Sequence, residues 1–224
     1  MNVVYPFIAF VFTTAFFGQS KQEQLERPFL PKGVVVMERI YGDLNNDGTE
    51  DCILLLKGID PNQILVDEVR GTLDRNRRGI LILFKKNDRY ELALRNSTCF
   101  SSENEDGGVY FAPELALAIQ NGNLYVHYGH GRYGHWRYTF RYQNSDFDLI
   151  GYDESYSSQI DSDFVVFDQL SVNFLTKKKV TKKVTHVAAN GQEAYNELEQ
   201  KITATKRVKL SEMTDFDAVD RSAY

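Results

Sequence analysis

The chain has 224 residues, of which 42% are apolar, 25% charged and 13% aromatic. That length gives room for one large domain or two small ones with a buried core, and the aromatic content excludes a wholly disordered chain. A formal net charge of −5 gives no footprint for nucleic acid, and two cysteines exclude a disulfide scaffold or a structural zinc cluster.

Residues 3–17 are apolar apart from Pro6, Thr13 and Thr14. The run is too short to cross a bilayer, which takes about 20 residues. It has the length of a secretory signal's apolar core, although no Lys or Arg precedes it, and Gly18-Gln19-Ser20 offers small residues for cleavage before Lys21. Residues 1–20 therefore read as a signal peptide and 21–224 as a single β-rich domain, periplasmic or secreted; a buried N-terminal strand or helix is the alternative. No cysteine precedes Cys52, so the mature form is expected without a lipid anchor or a membrane span. Export would place Cys52 and Cys99 in an oxidising compartment, where a disulfide between them is expected. Two buried free thiols are the alternative.

Downstream, short β-prone runs alternate with turn signals. Strands are predicted at 34–40, 52–56, 79–84 and 90–94, the last two joined at Lys86-Asn87-Asp88. Residues 114–119 and 124–128 form a second hairpin around Asn121-Gly122-Asn123. From Trp136 to Tyr142 aromatics alternate with Arg137, Thr139 and Arg141, the period of a half-buried antiparallel strand. Further strands are predicted at 147–152, 164–167, 170–175 and 179–187. The lysines of the last, Lys177-Lys178-Lys179 and Lys182-Lys183, read as a solvated edge. After Asn190-Gly191, the recurrence of Ala194, Leu198 and Ile202 with an i,i+4 pair at Glu197 and Lys201 predicts one helix near 192–204. The expected fold is mainly β, an antiparallel meander with one C-terminal helix.

The chemistry concentrates in residues 43–51, where Asp43, Asn45, Asp47 and Asp51 stand at positions 1, 3, 5 and 9 around Gly48. Odd spacing in a tight loop turns alternate oxygens inward, and Ca²⁺ takes six to eight oxygens at about 2.3–2.6 Å. Asp43, Asn45, Asp47 and Asp51 are candidate ligands, with the Thr49 carbonyl completing the set. Leu54 stands where an EF-hand places its bidentate Glu, and the flanks are strand-like, so this is no EF-hand. An ordinary turn rich in Asn, Asp and Gly is the alternative.

The pattern D-x-N-x-D-G-x-x-D between two strands resembles the calcium loop of FG-GAP/VCBS repeats in integrin-type propeller blades, over residues 34–56. More broadly, residues 43–52, 101–115 and 125–152 look like a group of exported bacterial proteins with a VCBS-like region. The resemblance implies export, a structural Ca²⁺ and propeller-blade-like character, and no reaction. A single copy of the motif is present, where a closed propeller would carry several.

Two weaker constellations remain. Glu103, Glu105 and Asp106 crowd one loop, and paired carboxylates are the equipment of a glycan hydrolase. Residues 125–142 carry His127, His130 and His135 among aromatics and arginines, a spacing that recruits a transition metal only if strand and loop converge. Tyr128, His130, Arg132, Tyr133 and His135, with Glu103, Glu105 and Asp106, form a candidate binding surface. The resulting expectation is an exported, calcium-stabilised, non-catalytic module that binds a protein or glycan at the bacterial cell envelope. The alternative is an envelope or dietary glycan hydrolase using the 103–106 carboxylates.

Overall fold

Residues 52–56 and 80–83 are apolar at every position, a pattern that suits strands covered on both faces, whereas 124–128 and 136–142 alternate. The computed structural model, which describes residues 21–104, 113–161, 164–203 and 207–216, separates these patterns into two sheets. A short helix, Lys21–Glu26 (α1), leads into Val34–Gly42 (β1), Asp51–Gly58 (β2), Ile64–Asp67 (β3), Gly71–Asp74 (β4), Arg78–Lys86 (β5) and Arg89–Phe100 (β6). Strands β1, β2, β5 and β6 pair in that order as one antiparallel sheet, with β3 and β4 a separate hairpin inserted between β2 and β5. Then follow Glu114–Gln120 (β7), Asn123–Gly129 (β8), Gly134–Gln143 (β9), Asp146–Asp161 (β10), Phe164–Asn173 (β11), Lys178–Val187 (β12) and Glu193–Lys201 (β13). They form a seven-stranded antiparallel meander in which each strand pairs with its sequence neighbour. The fold is mainly β, and the described strands close neither a barrel nor a propeller.

Turn chemistry sets the hairpins. Asn87, Asn121 and Asn144 all take positive φ, the left-handed conformation that Asn tolerates best after Gly. Between the sheets, Ile53, Leu55, Ile80 and Ile82 meet Leu124, Val126, Tyr138, Phe140 and Phe147 in the main core. The opposite face of the small sheet, with Leu54, Leu56, Leu81 and Leu83, is covered by Leu25, Phe29 and Leu30 from α1 and the 3₁₀ turn after it. That second cover is why residues 52–56 of β2 and 80–83 of β5 are apolar at every position. Residues 207–216 close the main core with Leu210, Met213 and Phe216, and the Asn96 side-chain amide donates to the Leu210 and Met213 carbonyls at 2.9 and 2.6 Å.

Two expectations are corrected. The segment predicted as a helix near 192–204 is largely β13, the outer strand of the seven-stranded sheet. Spacing of four is an even number, so Ala194 and Leu198 share one face of a strand as readily as one side of a helix. Glu197 pairs with Lys182 at 3.1 Å and Glu199 with Lys178 at 2.8 Å, both across the strands. The lysine run thus belongs to an inner strand, and β13 is the edge.

The second correction is the disulfide. Cys52 lies with Leu54 and Leu56 under α1, whereas Cys99 lies with Ile53 and Ile80 in the main core, on the other face of the same sheet. Both are free, buried thiols. Burial pushes each up to about 12, with the Glu26 charge adding to the effect at Cys52. A thiol-specific reagent at pH 8 is therefore expected to find no reactive thiol in the folded protein, and both thiols after unfolding without reductant. Recovering none after unfolding would restore the Cys52–Cys99 bridge.

Candidate functional site

The loop between β1 and β2 is built from side chains that stand in for missing backbone partners. Asp43 accepts from the Asp47 and Gly48 backbone N–H groups at 3.2 and 2.9 Å. The Asn45 side-chain oxygen takes the same Asp47 N–H at 2.9 Å, and Asp47 accepts from the Thr49 N–H at 2.8 Å. These bonds coil the chain, and Gly48 takes φ +81° where the coil reverses. Asp47 lies below the usual carboxylate range because the Thr49 N–H, and then the Asn45 side chain, favour its charged form.

Asp51 behaves differently from the other three. It is fully buried, and its two oxygens accept from the backbone N–H groups of Leu44 at 2.9 Å and Lys85 at 3.0 Å. In this arrangement it is a post pinning the loop to β5. Burial pushes its carboxyl up against those two hydrogen bonds, and the charges of Asp47 and Asp43 push further the same way.

The loop also joins the two sheets. Leu44 is fully buried in the shared core. Asn46 presses its side-chain amide against Gly122 in the β7–β8 turn so closely that a Cβ there would lie 2.4 Å from its oxygen. Among the described residues, no Lys, Arg or His side chain forms an ion pair with Asp43, Asp47, Glu50 or Asp51. Nor does any described set of three or more His, Cys, Asp and Glu side chains converge in metal-ligating geometry. Asp43, Asn45 and Asp47 fit a hard cation in oxygen chemistry and spacing, each keeping lone pairs beyond those given to the backbone. Asp51 also accepts one hydrogen bond at each oxygen, from the Leu44 and Lys85 N–H groups, and braces the loop from its buried side.

The other candidate residues are dispersed. Glu103 is paired at 2.7 Å with Lys57, which also meets Asp74 at 2.9 Å. Glu105 and Asp106 lie outside the described residues. At the β8–β9 tip, Arg132 donates to the Tyr133 hydroxyl at 2.9 Å and lies over its ring, while the His130 and Tyr133 rings are 4.9 Å apart. Tyr128 does not join that surface: it faces the core, buried and stacked on Trp136 with centroids 5.4 Å apart. The alternation of β8 decides this, since Tyr128 shares its face with Leu124 and Val126.

Sequence reasoning passed over one buried polar cluster. Glu26, at the end of α1, is fully buried and accepts from Arg39 Nε at 2.9 Å, with Cys52 Sγ 3.6 Å away. A single Glu in the polar run 21–27 carries no signal that it will be covered. No protein-family model, curated protein or solved structure matches the chain.

Proposed function

We propose that the protein is an exported, calcium-stabilised, non-catalytic module that binds a protein or glycan at the bacterial cell envelope. The observation that carries the reading is the loop at 43–51. It holds three aspartates with no paired cation among the described residues, and it plugs into both sheets through Leu44 and Asn46. Asp43, Asn45 and Asp47 would hold Ca²⁺, which supplies positive charge where those carboxylates repel one another and act on Asp51. Bound there, the ion stiffens a joint between sheets and has no part in a reaction. The binding role is supported by the β3–β4 hairpin, whose Val66 and Val69 are 85% and 94% exposed, more apolar surface than a solvated hairpin needs.

At about 1 mM Ca²⁺ and a dissociation constant of about 10⁻⁴ M, linkage contributes about 1.4 kcal/mol. For a chain of this size that is a rise in melting temperature of roughly 3–6 °C over protein in chelator. Asp43→Asn with Asp47→Asn is expected to abolish the rise. An unchanged melting curve and no heat of Ca²⁺ binding for the parent would remove the site.

A further inference from the structure

The solvent face of the seven-stranded sheet carries two imidazoles that the proposed function does not use. On β8 and β9, His127 stands opposite Arg137 and Gly129 opposite His135, so the two histidines are diagonal neighbours on one face. Their ring centroids are 5.5 Å apart and their planes are inclined by 34°. The residue between them is Gly129. A Cβ placed there would meet, among the described residues, only His127 Nε2, at 3.8 Å. A ring nitrogen of His127 therefore borders a notch, free of side chain, that lies directly across from His135.

We propose that His127 and His135 form a two-imidazole chelate for one divalent transition-metal ion of the zinc, copper or nickel type. Imidazole nitrogen is the common ligand of these ions, and each binds at about 2.0–2.1 Å. A ring centroid then lies about 3.2 Å from the metal, and a tetrahedral angle sets two such centroids roughly 5.2 Å apart. The observed 5.5 Å is close to that spacing. Burial, and then the charges of His135 and Arg137, push His127 below the usual histidine range. The Arg137 charge is itself countered: its guanidinium donates to Asp153 at 2.8 Å and lies over the Tyr125 ring. Two protein ligands leave the remaining positions to water, and Glu114 occupies the register position opposite Gly129 on β7.

The test is calorimetric titration of the untagged protein with Zn²⁺, and electron paramagnetic resonance with Cu²⁺. One equivalent is expected to bind in the micromolar range, with a copper spectrum showing two nitrogen ligands. His127→Gln and His135→Gln are each expected to weaken binding by about tenfold or more, since each removes half of the protein's ligand set. His130→Gln and His186→Gln are expected to leave it unchanged, as is the Asp43→Asn, Asp47→Asn double variant, which separates this ion from the one proposed for the acidic loop. Circular dichroism of each variant checks that the sheet is retained. The chelate is overturned by absence of Zn²⁺ binding in the parent, by binding that survives loss of both His127 and His135, or by binding that fails equally with His130→Gln or with the aspartate variant.

Discussion

Phe216→Ala is expected to lower the unfolding free energy by about 3–5 kcal/mol, the range for emptying a well-packed aromatic site. Phe216 is 2% exposed and its ring lies 5.0 Å from Phe100 and 5.0 Å from Tyr138, with Phe140 at 6.0 Å. Phe100 comes from the small sheet and Tyr138 and Phe140 from the large one, so a single ring fills the seam between them. The Phe216 backbone N–H also donates to the Cys99 carbonyl at 3.1 Å. Urea unfolding followed by tryptophan fluorescence would report the loss, because Trp136 packs against the same core. Phe216→Leu should keep the segment docked and cost less than half as much. A cost below about 1 kcal/mol for the alanine variant would show that residues 207–216 rest on the core without closing it.

Gly134→Ala is expected to cost about 3 kcal/mol or more, and the backbone is the reason. Gly134 opens β9 at φ +114° and ψ −158°, a region that side-chain-bearing residues avoid. A Cβ there would lie 1.9 Å from the Ser155 carbonyl oxygen and 2.8 Å from its carbon. Both obstacles are backbone of β10, which pairs with β9 here as Ser155 opposite His135 and Tyr156 opposite Gly134, so neither can rotate aside. Gly131→Ala, three residues earlier, gives the contrast. It too has positive φ, +49°, but nothing lies within 4 Å, and only about 1 kcal/mol is at stake. Paired denaturation curves for the two variants separate steric overlap from conformational preference, and equal costs would overturn the overlap argument.

Local signals read correctly wherever the deciding physics was local. The Asn-centred turns at 87, 121 and 144 and the alternation across 136–142 placed six strands, because turn residues and period-2 patterning act on immediate neighbours. The loop at 43–51 was legible for the same reason: its hydrogen bonds run from Asp43, Asn45 and Asp47 to N–H groups two to five residues on. What the sequence withheld was facing and partnership. Cys52 and Cys99 are both buried, but only the pairing of β2, β5 and β6 puts them on opposite sides of one sheet. The apparent helix at 192–204 fails because its glutamates find lysines 15 and 21 positions away, a choice that an i,i+4 count does not see. Spacing alone puts Asp51 at position 9 of the loop, but its bonds to the Leu44 and Lys85 N–H groups depend on the pairing of β2 with β5, which spacing does not show.

The meander order of the large sheet bears on how the molecule assembles. Every pairing from β7 to β13 closes over a turn or loop of a few residues, so the ribbon can zip up one hairpin at a time as the chain emerges. The bonds from Asn96 to Leu210 and Met213 span 114 and 117 residues and form only when synthesis has passed the last strand. Until that late clasp engages, Phe100, Tyr138 and Phe140 are left under an open seam, which leaves the nascent chain open to aggregation until residues 207–216 have been made.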